Sequence, residues 1–227
     1  MFKPLSSWVK RTHPLPERFY TEGYIDEPKD EWSVWLSIEE VSPLYLAPNM
    51  KWQSLQESRE ITKNYLDEAS DIINGLEGAW LDREEQEWIL EGLGLPPDPS
   101  LPIYLITCTD EKGNEELVYI GITKNSSRFS GGHSAALKLH DPKYANTEKK
   151  IYRSTAWFHD DKEYISLDWL QPESLSLDLI DSLESHLIYR FQPELNTAKK
   201  SRNLSKWDFY VHIQNFLEGG FLNDEFV

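Results

Sequence analysis

The stretch from Pro102 to Thr123 constrains this chain most. Two runs rich in β-branched, aromatic and other apolar residues, Pro102–Thr109 and Leu117–Thr123, flank Asp110-Glu111-Lys112-Gly113-Asn114, whose residue types favour a turn. Runs joined this way form a β-hairpin. Cross-strand neighbours in a hairpin touch, so Tyr104 and Tyr119 are expected side by side. Gly121 follows closely on Tyr119 and permits close backbone approach or an unusual backbone angle. The polar, small segment Lys124–Gly132 comes next, and Ala135–Leu139 reads as helix.

A second constraint is helical. Leu177, Ile180, Leu183, Leu187, Ile188 and Phe191 recur with a helical period over Leu177–Phe191, and Gln192-Pro193 stops that helix. Glu184 lies on the edge of the apolar stripe, where a carboxylate is costly unless it is paired or bound to a cation. Asn196 offers a side-chain amide just beyond the helix end. His140, His159 and His186 read as incidental, His186 pointing away from Glu184 on the helix.

Taken in order, these residues resemble the GIY-YIG nuclease domain, a family that includes homing endonucleases, the incision subunit of bacterial nucleotide excision repair and several restriction endonucleases. The first motif stands here as Pro102-Ile103-Tyr104, with proline in place of the usual glycine, and the second stands intact as Tyr119-Ile120-Gly121. The family arginine corresponds to Arg128, the metal-binding glutamate to Glu184 and the late asparagine to Asn196. His133 falls roughly where some restriction-type members carry a catalytic histidine. The resemblance spans about Leu101–Lys200.

The resemblance implies one divalent cation, Mg²⁺ with Mn²⁺ as a substitute, held by Glu184 and waters, as a hard cation prefers oxygen. Such a cation stabilises charge on the phosphate and the leaving oxygen. The forked guanidinium of Arg128 suits the scissile phosphate. The attacking water is oriented or deprotonated by Tyr104, Tyr119 or His133. A tyrosine with its usual pKa near ~10 needs help to act as a base at neutral pH, whereas a histidine titrates in a convenient range. Asn196 positions other members of the site by hydrogen bonding.

Charge opposes this reading in part. The formal net charge is −16, and nucleic-acid binders usually carry a basic footprint. The acids are uneven: residues 1–100 have a net charge of −11 and residues 101–227 of −5. Two basic groups lie in the second part, Lys149, Lys150 and Arg153, and Lys199, Lys200, Arg202 and Lys206. From these, Lys149, Lys150, Lys199, Lys200 and Arg202 are the candidate contacts to the DNA backbone. The single cysteine, Cys108, excludes an internal disulfide framework and reads as a buried small hydrophobe. No apolar run is long enough to span a membrane, and a cytoplasmic setting is expected.

The expected fold is α+β: a small central antiparallel sheet, built from the hairpin and a third strand near Tyr164–Leu170, flanked by helices. Three segments are expected: an acidic, mainly helical extension over 1–100, a GIY-YIG-like core over 101–200, and a C-terminal helix over 201–227. In the first segment Glu31–Val41 is a short strand or an amphipathic piece, Leu55–Leu76 is a helix, and Asp82 caps a second helix ended by Gly92 and Gly94. Ser205 is expected to cap the last helix, with Trp207, Tyr210, Ile213 and Leu217 facing inward. The expected function is a metal-dependent endonuclease cutting DNA, of restriction or defence type, with RNA as a further substrate class. The alternative is an inactive relative of the fold that binds a protein partner through its acidic surface. A homodimer, or a protein partner on the acidic half, is compatible with either.

Overall fold

The computed structural model describes residues 3–16, 19, 29–76, 80–123, 129, 134–159, 161–217 and 221–227. In chain order the elements are α1 (Pro4–Val9), β1 (Glu31–Pro43), α2 (Leu55–Ile72), α3 (Arg83–Leu93), β2 (Ile103–Thr109), β3 (Glu115–Ile122), α4 (Ser134–Lys138), β4 (Glu148–His159), β5 (Tyr164–Ser166), α5 (Glu173–Phe191), β6 (Asp208–Asn215) and β7 (Glu225–Phe226). The protein is mixed α+β, with one curled seven-stranded sheet flanked by helices. The strand order is β3-β2-β4-β1-β6-β7, and β5 pairs with β4.

The expected hairpin forms as β2 and β3. Its turn is held by Asp110, whose carboxylate accepts from the backbone N–H of Lys112 and Asn114 and from the Asn114 amide, each at 2.9 Å. Those bonds to the charged form hold the Asp110 carboxyl below its ordinary pKa. Helix α5 also forms as expected and ends at Gln192 in the left-handed conformation. Helices α2 and α3 each start on a capping box: Ser54 with Glu57, and Asp82 with Glu85.

Three expectations are corrected. The third strand of the core is β4, not the region Tyr164–Leu170, which holds only the short β5 and a 3-10 turn over Leu167–Trp169. From Ile151 to Phe158 every residue of β4 is buried, so it shows no alternation to read. The C-terminal segment contains strand β6 rather than a helix. Phe209, Val211, Ile213 and Asn215 are buried in alternation, a period of two that displaces the helical spacing of Trp207, Tyr210, Ile213 and Leu217. The sheet is not wholly antiparallel, because β1 pairs with β6 in parallel and with β4 antiparallel. All three expected segments therefore contribute strands to one sheet, with β1 from residues 1–100 lying between β4 and β6.

The sheet buries both faces in its β3-β2-β4 part. One apolar cluster joins Ile103 and Leu105 of β2 and Ile120 and Ile122 of β3 to Leu179, Leu183 and Leu187 of α5. The opposite face joins Tyr104, Ile106 and Cys108 of β2 to Val118, Phe129, Trp52 and the α4 residue Ala135. A third cluster packs α1, α2 and α3 together through Trp8, Tyr65, Leu66 and Ile89. No helix among the described residues is long and apolar enough to cross a membrane.

Candidate active site

Tyr104 and Tyr119 meet across the hairpin as expected. Their rings are 6.0 Å apart and close to parallel. Register explains the contact: Tyr104 pairs with Gly121, and Ile106 pairs with Tyr119, so the two tyrosines are diagonal neighbours on one face. An irregularity between Ile106 and Thr107 leaves Val118 as an extra residue in β3 and keeps Tyr119 on that face. Gly121 is the space that Tyr104 fills.

The two rings differ in access. Tyr104 is fully buried, edge-on to Trp52 and Phe129 at 5.7 and 5.5 Å, whereas Tyr119 is only partly buried. Trp52 stacks on Phe129 at 4.5 Å and takes the Arg153 guanidinium over its ring. Arg153 in turn pairs with Glu40 and donates to the Lys51 carbonyl at 2.6 Å. Arg153 is therefore a buried structural cation and is withdrawn from the basic group that the sequence placed there.

Glu184 belongs to α5, whose apolar side packs on the other face of the sheet and which lies against the edge strand β3. Its carboxylate is not an exposed helix acid: the Glu184 side chain is 14% exposed and lies 2.6 Å from the ammonium of Lys199, itself 17% exposed. The same ammonium reaches the carboxylate and the backbone carbonyl of Asp181, both at 3.3 Å. Asp181 lies one turn before Glu184 on the same side of the helix, and sequence reasoning passed it over. Its spacing from Glu184 on a stripe edge was the available signal.

Asn196 links the two faces. Among the described residues β3 is an edge strand, so its outer N–H and C=O groups lack a strand partner there. Asn196 supplies one. Its amide oxygen accepts from the Ile120 N–H and its amide nitrogen donates to the Ile120 carbonyl, both at 2.9 Å. The Leu195 N–H adds a bond to the Val118 carbonyl at 2.9 Å. The segment from Pro193 to Lys200 thus grips the strand that carries Tyr119 at one end and delivers Lys199 to Glu184 at the other. Gln192 secures it, donating to the carbonyls of Tyr189 and Lys200 at 2.6 and 3.0 Å.

Arg128 and His133 lie outside the described residues. Of the five residues expected to contact DNA, Lys199 faces inward. Lys149 donates to the carbonyls of Tyr144 and Thr147 at 2.6 and 3.2 Å, and Lys200 to the carbonyl of Pro193 at 3.0 Å. Lys150 approaches Glu148 and Glu115 at 3.5 and 3.9 Å. Arg202 is exposed.

No group of three or more His, Cys, Asp or Glu with metal-site geometry is present among the described residues. The donors that do converge are oxygens, two carboxylates and a carbonyl of α5, and they already surround a cation, the Lys199 ammonium. Hard oxygen donors of this kind fit Mg²⁺ or Mn²⁺ completed by water. Comparison of the chain with known protein families, with curated proteins and with solved structures finds no match.

Proposed function

We propose that this protein is a divalent-metal-dependent endonuclease of the GIY-YIG type that hydrolyses phosphodiester bonds in DNA. The observation that carries the reading is the single segment Pro193–Lys200, which ties the Tyr119 strand, through Asn196, to the half-buried acid Glu184, through Lys199. Packing alone does not call for an asparagine bonded to the edge of one strand and a half-buried acid on the neighbouring helix to be joined in this way.

In this reading Glu184 and Asp181 hold the cation through oxygen. When bound, the cation neutralises charge that builds on the phosphate and the leaving oxygen. Tyr119, the accessible tyrosine, orients the attacking water, and the fully buried Tyr104 fixes the ring of Tyr119. Arg128 contacts the scissile phosphate. The acidic charge of the chain makes DNA binding weak and sensitive to salt.

The test is incubation of supercoiled plasmid and single-stranded DNA at low salt with Mg²⁺, Mn²⁺ or EDTA, using wild type and Glu184→Ala. Metal-dependent nicking or linearisation, lost in the variant, is the expected result. A folded protein that cuts nothing under any of these conditions would overturn the reading.

A second reading is favoured by one surface. Tyr210 and Phe226, on β6 and β7, are 61% and 72% exposed, and Phe226 stacks on His212, which pairs with Asp224. Asp208 lies on the same side of β6. Exposed rings beside carboxylates suit the lysines and arginines of a basic protein partner. Under this reading a basic polypeptide binds wild type and releases on Tyr210→Ala with Phe226→Ala, independently of metal.

A further inference from the structure

Lys199 is held where a metal ion would have to sit. Its ammonium has three oxygens of α5 within 3.3 Å: Glu184 Oε2, Asp181 Oδ1 and the Asp181 carbonyl. Neither side chain of the Lys199–Glu184 pair is a solvated surface group, and the backbone that presents the lysine is itself constrained. Lys199 adopts a positive φ of 67°, an uncommon conformation for a residue with a side chain. The flanking chain is anchored by the Leu195, Asn196 and Lys200 hydrogen bonds already described. An ammonium and a divalent cation repel, so each weakens the other's hold on the two carboxylates, while the Asp181 carbonyl also accepts from Ser185 Oγ at 2.8 Å.

We propose that Lys199 is the resident counter-ion of the Asp181–Glu184 acid pair and competes directly with the divalent cation for it. The inference rests on the metal-dependent reading above. Metal binding requires the ammonium to swing off these oxygens, which its flexible four-carbon stem allows without moving the anchored backbone. A nearby phosphate gives the displaced ammonium a new partner. Metal and DNA therefore favour one another: each binds more tightly when the other is present, and Lys199 adds to the direct attraction between cation and phosphate. In the absence of DNA the lysine stays on the acid pair and offsets part of its charge.

The experiment is a Mn²⁺ titration followed by the electron paramagnetic resonance of free Mn²⁺, on wild type, Lys199→Met and Glu184→Gln, with circular dichroism to confirm folding. Lys199→Gln replaces Lys199→Met if the latter does not fold. Lys199→Met is expected to bind Mn²⁺ more tightly by about tenfold, within the usual size of coupling between two ligands, and Glu184→Gln to lose the site. Adding a non-cleavable phosphorothioate oligonucleotide should tighten Mn²⁺ binding by a larger factor in wild type than in Lys199→Met, where only the direct cation–phosphate attraction remains. If wild type binds Mn²⁺ and Glu184→Gln does not, but Lys199→Met binds no more tightly than wild type, the competition is wrong while the metal site stands. If none of the three binds Mn²⁺, both the competition and the metal-dependent reading fail.

Discussion

Tyr104 lies directly over Gly121, its partner across the β2–β3 ladder. A Cβ added to Gly121 falls 2.4 Å from Tyr104 Oη, 2.5 Å from its Cζ and 2.9 Å from Tyr119 Cε1. The glycine of the second motif is thus a steric requirement of the first tyrosine. Because Tyr104 is fully buried among Trp52 and Phe129, it has nowhere to move. Gly121→Ala is expected to destabilise the protein by about 1–3 kcal/mol, the usual cost of overpacking. Urea denaturation measures this. Pairing it with Tyr104→Leu should give a double variant less destabilised than the sum of the two, since the clash is shared.

Asn196→Ala removes both hydrogen bonds that pair the Ile120 backbone at the sheet edge. The expected cost is about 1–3 kcal/mol, because the buried partner groups lose their bonds. Hydrogen exchange at the Ile120 amide should accelerate selectively. Asn196→Asp should not rescue, since a carboxylate keeps an acceptor for the Ile120 N–H but faces the Ile120 carbonyl without a donor. Native exchange at Ile120 in either variant would remove Asn196 from the positioning role.

His186 predicts an acid limb in the stability profile. It is buried against the edge of Phe209 at 5.7 Å. Burial and, less so, the nearby Arg190 push its pKa below the ordinary value. The unfolded chain therefore takes up a proton near ~6.5 while the folded chain resists it. Unfolding binds protons in that window, so the contribution is complete above about pH 6.5 and falls as pH drops below it. Thermal melts between pH 7.5 and 5 should show a smaller decline for His186→Leu than for wild type. Parallel profiles for the two proteins would assign the acid limb elsewhere.

The start of α3 gives a control outside the site, whereas the start of α2 does not, because Ser54 and Asp181 line one cavity. Asp82 accepts from the Glu85 N–H at 2.9 Å, and Ser54 accepts from the Glu57 N–H at 3.1 Å. Asp82→Ala or Ser54→Ala should each cost about 1 kcal/mol in denaturant melts. Asp82→Ala should not alter Mn²⁺ binding.

Local patterns were legible in the sequence. The hairpin, α5 with its end at Gln192, and the cap at Asp82 depend on residues a few positions apart, so their signals lie within one window of the chain. The tyrosine pair followed from the hairpin alone. Cys108 is buried, as a lone apolar-strand cysteine suggests. Strand β4 was hidden because it is covered on both faces and carries no alternation, and β6 because its aromatic residues admitted a helical spacing as well as the period of two.

What the sequence by itself determined is which residues can pair locally: Tyr104 with Tyr119, and Glu184 on the edge of an apolar stripe. Tertiary structure alone decided that β1 enters the sheet between β4 and β6, that Tyr104 is sealed while Tyr119 is not, and that Lys199 turns inward to Glu184 and Asp181. The physical reason is range. A hairpin or a helix face is specified by neighbours along the chain, whereas burial and the partner of a charge are set by segments distant in sequence that close over it. Lysine in a polar loop reads as solvated, and only the path of that loop along the edge of β3 brings its ammonium to the acids of α5.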